Sequence, residues 1–365
     1  MLHQVVTPQR PEDLMTWSLG LLIGLMFAAL GTHAEAHPAG TDHETSAALR
    51  TFLQSVDPQA VLQPGGVLDC KLSGGTQTQC MKFTLQAAPK RTPGPWCPDH
   101  IGDGSEAGGF WIADGKVFDV DGAFVKNLAM LYKNSKWKLY DPKTGAIKVT
   151  RSFDACFAAA RPDVPLEYYD YCTQCDVDQV VAPPSANFFI PLKPVIADSP
   201  APLRDQPGAG VALNGVRLNG PAPYDDIVKA RNIAPFDDCG GHVNPYHGYH
   251  YHFVTDCLET VSPVDGHAPQ IGIAIDGYGV FRWLDGLGKE AQGLDACRGH
   301  KSDELGYHYH AAPVGTNSII GCITGEFGCV SPPGTASCDA TAVRQPVAAP
   351  GAPPPPGAGP PREKH

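Results

Sequence analysis

Residues Asp237 to His252 read DDCGGHVNPYHGYHYH, and residues Asp295 to His310 read DACRGHKSDELGYHYH. The second stretch starts 58 positions after the first, the two align without a gap, and nine of the sixteen positions agree. Chance pairing at average composition would match about one. The agreeing groups are the Asp, Cys, Gly and His that open each copy and the Gly-Tyr-His-Tyr-His that closes it. Side chains alternate across a strand, so Tyr-His-Tyr-His places its histidines on one face and its tyrosines on the other.

The pattern extends outward. Each copy is preceded by an apolar run ending in a tight turn, Val211-Ala-Leu-Asn214-Gly215 before the first and Ile273-Ala-Ile-Asp276-Gly277 before the second. Two such halves predict a pseudo-twofold, β-rich duplicated domain over residues 211–330. Upstream, residues 37–197 read as an α+β unit. Helical spacing is found around Ser46 to Leu53, Ala123 to Tyr132 and Phe153 to Ala160, with strands and turns between, including a hairpin over Trp137 to Val149. Residues 198–210, rich in Pro, Ala and Gly, are expected to link the units, and the Pro-rich residues 331–365 to be a disordered tail. The fold class expected is α+β, predominantly β.

Forty glycines, thirty-six prolines and only 18% charged residues also favour turns and short strands in this 365-residue chain. A net charge of -11 argues against nucleic acid or an anionic membrane surface as partner. Trp17 to Leu30 is apolar but short for a membrane span, and Ala34-Glu35-Ala36 follows as a small-x-small cleavage site, so residues 1–36 read as a signal peptide. The mature chain is then expected to be exported, periplasmic or extracellular, with no integral membrane segment. Twelve cysteines, six before residue 200 and six after, suit that oxidising setting and two separately stapled units. The repeat favours pairing Cys239 with Cys257 and Cys297 with Cys322.

Histidine is the commonest metal ligand among side chains. On a strand, His250 and His252 would stand roughly 6–7 Å apart at their Cβ atoms, close enough for two rings to converge on one ion. His242, beyond a glycine-flanked turn, supplies a third imidazole, and His300, His308 and His310 repeat the set. Three imidazoles suit a transition metal, zinc or copper foremost, held either at two separate sites or at one shared centre. Asp237 and Asp295 are candidates to orient the imidazoles from behind. Asp276 and Glu304 are the candidate catalytic carboxylates, and the copies also differ in His247 and Asp303. The alternative is a hydrogen-bonded His/Tyr core without metal, with the four motif tyrosines packed as core aromatics.

The paired GYHYH motifs, each with its preceding DxCxGH, resemble the YHYH domain family over about residues 211–325. That resemblance implies the domain and carries no assigned activity. Three functions follow: an exported metal-binding protein, a metal-dependent hydrolase or copper/iron oxidoreductase, or a structural envelope or surface protein.

Weaker signals add little. Cleavage after Ala36 would expose His37 as an amino-terminal copper chelator needing His43 or His100 as its partner. Cys172-Thr-Gln-Cys175 has dithiol-exchange spacing without a thioredoxin-like surround. Asp119-Val-Asp121-Gly122 reads as a turn rather than a calcium loop. No GxSxG elbow, P-loop or GxGxxG fingerprint occurs.

Overall fold

A computed structural model describes residues 45–159, 163–175, 185–204, 207–244, 247–262 and 266–342. In chain order these carry helix α1 (Ala47–Ser55), strands β1 (Val61–Lys71), β2 (Gln77–Leu85), β3 (Phe110–Ala113) and β4 (Lys116–Asp119), then helices α2 (Gly122–Leu131) and α3 (Phe153–Ala159). Strands β5 (Ala186–Pro191), β6 (Ile196–Pro202), β7 (Gly210–Ala212) and β8 (Arg217–Leu218) precede helix α4 (Tyr224–Lys229). There follow β9 (Gly241–Asn244), β10 (Gly248–Tyr251), β11 (Gln270–Ala274) and β12 (Gly279–Phe281). Last come β13 (Gly299–Ser302), β14 (Gly306–His310), β15 (Cys322–Gly325), β16 (Cys329–Ser331) and β17 (Cys338–Asp339). The protein is predominantly β with short helices, and the three helices expected in its first half form. Ser46 caps α1 by accepting from the Leu49 amide, and Asp121 caps α2 by accepting from Phe124.

The repeated stretches lie in an eight-stranded sheet of order β13-β14-β12-β11-β7-β8-β10-β9. Read from either edge, the sheet presents an antiparallel hairpin, then a strand parallel to its inner member, then that strand's antiparallel partner. The register agrees on the two sides, with Tyr251 opposite Leu218 and Tyr309 opposite Val280. The halves meet where β7 and β11 pair antiparallel, Val211 opposite Ile273. Both strands are buried throughout, which is why they read as short apolar runs rather than alternating ones.

The boundaries differ from those expected. Residues 198–202 do not link two units: they belong to β6, which pairs with β15. The second sheet, β16-β5-β2-β1-β17, draws its edges from the C-terminal end, so Ser331 to Asp339 are folded and Cys338 is bonded to Cys329. One apolar core holds Leu49 and Phe52 of α1, Phe188 and Ile190 of β5, and Val211, Ile273 and Tyr309 of the large sheet. All described residues accordingly fall in one compact unit. A core shared across the proposed linker removes the reason for a boundary there. Residues 343–365, like the expected signal peptide, lie outside the described residues.

Six disulfides form, Cys70–Cys80, Cys97–Cys172, Cys156–Cys175, Cys239–Cys257, Cys297–Cys322 and Cys329–Cys338, and none joins the first six cysteines to the last six. Cys172 and Cys175 are thus bonded to different partners and are no dithiol pair. No helix among the described residues is long and apolar enough to cross a membrane.

The central pairing sets a steric demand at Gly272, where a Cβ would stand 2.3 Å from the Val211 carbonyl oxygen. Gly272→Ala is expected to destabilise the fold by about 1–3 kcal/mol in urea unfolding, through overpacking against backbone that cannot move aside. Gly66→Ala, where a Cβ meets nothing within 4 Å, should change it little.

Candidate metal centre

Each histidine motif folds as a hairpin, β9 with β10 and β13 with β14, and every repeated residue has a local reason. Asp237 Oδ1 accepts from the amides of Cys239 and Gly241 at 3.1 and 3.0 Å, closing the turn that leads into β9. Asp295 does the same for Cys297 and Gly299 at 2.8 and 2.9 Å. The second carboxylate oxygen of each accepts from the hydroxyl of Tyr249 or Tyr307, both at 2.8 Å. Those rings lie over Gly241 and Gly299, where a Cβ would come within 2.6 and 2.2 Å of the ring Cζ. Gly248 and Gly306 enter β10 and β14 with φ of 64° and 65°, a left-handed conformation that favours glycine.

The hairpin register then brings the histidines together. His242 stands opposite His250, and His300 opposite His308. Side chains directly opposite share a face, and so does the residue two further on, His252 or His310. In the first cluster the Nε2 atoms of His250 and His252, and of His252 and His242, are each 3.0 Å apart. In the second, Nε2 of His300 is 3.0 Å from that of His308 and 3.2 Å from that of His310. A fourth ring joins them: His267, just before β11, places its Nε2 3.1 Å from that of His308. Among the described residues the six repeated histidines and His267 thus form two groups able to hold an ion, one of three imidazoles and one of four.

Between His250 and His252, and throughout the second cluster, the protons cannot be placed so that these contacts become hydrogen bonds. Nδ1 of His250 faces the Gly248 carbonyl at 2.8 Å, and that of His252 faces Gly220 at 2.6 Å. His300, His308, His310 and His267 face the carbonyls of Gln292, Gly306, Arg282 and Ala268 at 2.8–3.0 Å. A carbonyl only accepts, so each of these Nδ1 atoms carries the proton, and a neutral imidazole has only one. The Nε2 atoms of these six rings therefore present lone pairs at close range. Further protonation would relieve this, but burial opposes it. His242 and His250 are held well below the ordinary histidine value, by desolvation first and by the neighbouring imidazoles second. Desolvation also lowers His252 and His308 to about 4 and His310 to about 3. A shared cation is what converging lone pairs of this kind accept.

The remaining candidates are placed as follows. Backbone carbonyls, rather than Asp237 and Asp295, meet the Nδ1 atoms, and the two carboxylates serve the turns and tyrosines. Asp276 is fully buried; its carboxylate accepts from the Tyr309 hydroxyl at 2.6 Å and from the Gly325 amide at 3.0 Å, with burial raising its pKa. Glu304 is exposed in the turn between β13 and β14. Neither is in the groups that could share an ion. Tyr249, Tyr251 and Tyr309 are core residues. His247 is buried beside Asn219, its Nδ1 2.9 Å from the amide nitrogen. His37 and His43 lie outside the described residues, and His100 meets the Thr144 carbonyl and the Gly102 amide with its two ring nitrogens. The repeat could not find His267, which has no counterpart in it; only the neighbouring of β11, β12 and β14 brings it in.

Residues 187–286 match the family model described as YHYH protein, a span that includes the first cluster and His267 and ends before the second hairpin. No curated protein and no solved structure matches the chain. The match covers the strands from β5 to β12 that position the first cluster, and on it the chain carries a YHYH domain.

Proposed function

We infer that this protein binds transition-metal ions, one at each histidine cluster. The observation that carries this reading is the convergence of seven Nε2 atoms at 3.0–3.2 Å while six of the seven rings have their Nδ1 proton committed to a carbonyl. Tetrahedral zinc with ligands at about 2.0–2.1 Å would space its nitrogens about 3.3 Å apart, close to what the rings already provide. Neutral imidazole donors suit zinc or copper and offer little to calcium or magnesium. Zinc would supply Lewis acidity, copper a redox couple. Six disulfides suit an oxidising compartment, which supports export, and the apolar stretch ahead of Ala34 supports a cleaved signal. The matching register of the two halves supports reading the sheet as a duplicated, pseudo-twofold domain.

A structural role is favoured over catalysis by one observation: His250 and His252 are 0% and 2% exposed, within the sheet's own packing. On that reading the ions act mainly as cross-links, adding about 4 kcal/mol per site at a free metal concentration a thousandfold above Kd.

Elemental analysis of protein purified from the exporting compartment should find zinc or copper at about two equivalents per chain, one per cluster. A His250→Ala/His308→Ala double variant should lose it. Protein that carries no metal and takes none up on titration would refute the reading and leave the histidines as hydrogen-bonded core.

Acid should act on the metal-free protein with a defined sign. The folded state keeps His252 and His308 neutral down to about 4, whereas the unfolded chain protonates near 6.5. Between those values the unfolded state binds more protons, so stability falls as pH falls. Burial raises the carboxyls of Asp237 and Asp276, which opposes the trend, but the lowered imidazoles outnumber them. Thermal unfolding in chelator should show Tm declining from pH 6.5 to 4, and a flat or rising Tm would contradict the buried neutral clusters.

A further inference from the structure

The two clusters differ in how many rings they gather and in what covers them. In the first, the ring of Phe236 packs against His242 and His252, with centroids 5.1 and 5.4 Å apart. Phe236 is itself only 3% exposed, lies edge-on to Phe253, and has its backbone paired with Phe110. His242 is part-exposed, but it is one of three imidazoles beside that ring, and the other two are buried.

In the second copy the position of Phe236 is taken by Leu294, half-buried between the exposed Gly293 and Asp295. Phe281 packs against His267, His308 and His310, at centroid distances of 4.9, 5.0 and 6.1 Å. The rings that pack on His300 are the other three imidazoles. His300 is part-exposed, and its Nδ1 bonds the carbonyl of Gln292, an exposed residue. One imidazole of the four thus stands at the surface, and three remain behind it.

Three imidazoles suffice to keep an ion whose fourth position exchanges, so a site with four can surrender one and still hold. A site with three that gives one up is left with two. At the second cluster an incoming donor can bond the ion as the bond to the His300 Nε2 breaks. Neither a proton nor an electron moves, because the Nδ1 proton of His300 stays bonded to Gln292.

We propose that the second cluster exchanges its ion with nitrogen-donor ligands from solution, His300 being the ligand displaced, while the first cluster retains its ion. This rests on the metal binding inferred above. It makes one copy of the motif a port for metal and the other a fixed cross-link.

The test mixes the full chain, loaded with two equivalents of zinc, with excess pyridylazoresorcinol, a coloured chelator with pyridine and azo nitrogens. Release should occur in two phases of one zinc each, the faster one quickening with chelator concentration. His300→Ala should still bind two zincs, yet speed the fast phase at least about tenfold, since even a partner bonded behind a ligand is worth that much in metal affinity. His242→Ala should remove or hasten the slow phase and leave the fast one as it was. If that variant fails to fold by circular dichroism, the native protein and His300→Ala decide. A single phase releasing both ions, a fast phase unchanged in His300→Ala, loss of a zinc from that variant, or a fast phase abolished in His242→Ala would each overturn the proposal and leave the metal reading standing. A protein that binds no zinc would overturn both.

Discussion

Six imidazoles donate their only proton to a backbone carbonyl, and the placement of those carbonyls is what the rest of the structure serves. Once Nδ1 is committed, the ring's tautomer and direction are set, and its lone pair points where the fold sends it. The carbonyls come from separate elements. Gly248 and Gly306 lie on the histidines' own strands, Gly220 follows β8, Arg282 follows β12, and Ala268 precedes β11. Each cluster is therefore fixed by backbone from more than one element of the fold.

The opposite face of the same strands explains how this is sustained. Tyr249 and Tyr307 bond the turn-closing aspartates, Tyr309 bonds Asp276, and Tyr251 accepts from the Asn214 amide. Asp237 and Asp276 are buried, and a buried carboxylate is costly unless it is bonded. The tyrosines meet that need while supplying large apolar rings to the core. The motif's alternation is thus a division of labour, with one face gathering lone pairs and the other satisfying carboxylates.

Much of this was legible in the residues. The gap-free repeat located the two hairpins, the alternation put the histidines on one face, and the repeat logic paired Cys239 with Cys257 and Cys297 with Cys322. What escaped depends on contacts distant in sequence. Ile196 to Pro202 looks like a linker because its composition is poor in pattern, yet β15 completes it as a strand. Cys338 sits in low-complexity surroundings and is folded through β1 and Cys329. Asp237 and Asp295 were natural partners for imidazole by type, but backbone amides two and four residues on reach their carboxylates first. His267 carries no periodic signal, since its place beside His308 is set by tertiary neighbours.

The position of the hairpins in the sheet has a further effect. β9 and β13 are its two outermost strands, and His242 and His300 are the members of each cluster that lie on them. Outer strands carry unpaired backbone groups, fray first, and are where a sheet recruits a foreign chain. On the metal-binding reading, an ion shared across β9 and β10, or across β13 and β14, would stitch each rim to its neighbour through side chains. Loss of the ion would then loosen the rims before the seam, so a chain stripped of metal would fail by sticking to its own copies sooner than by melting.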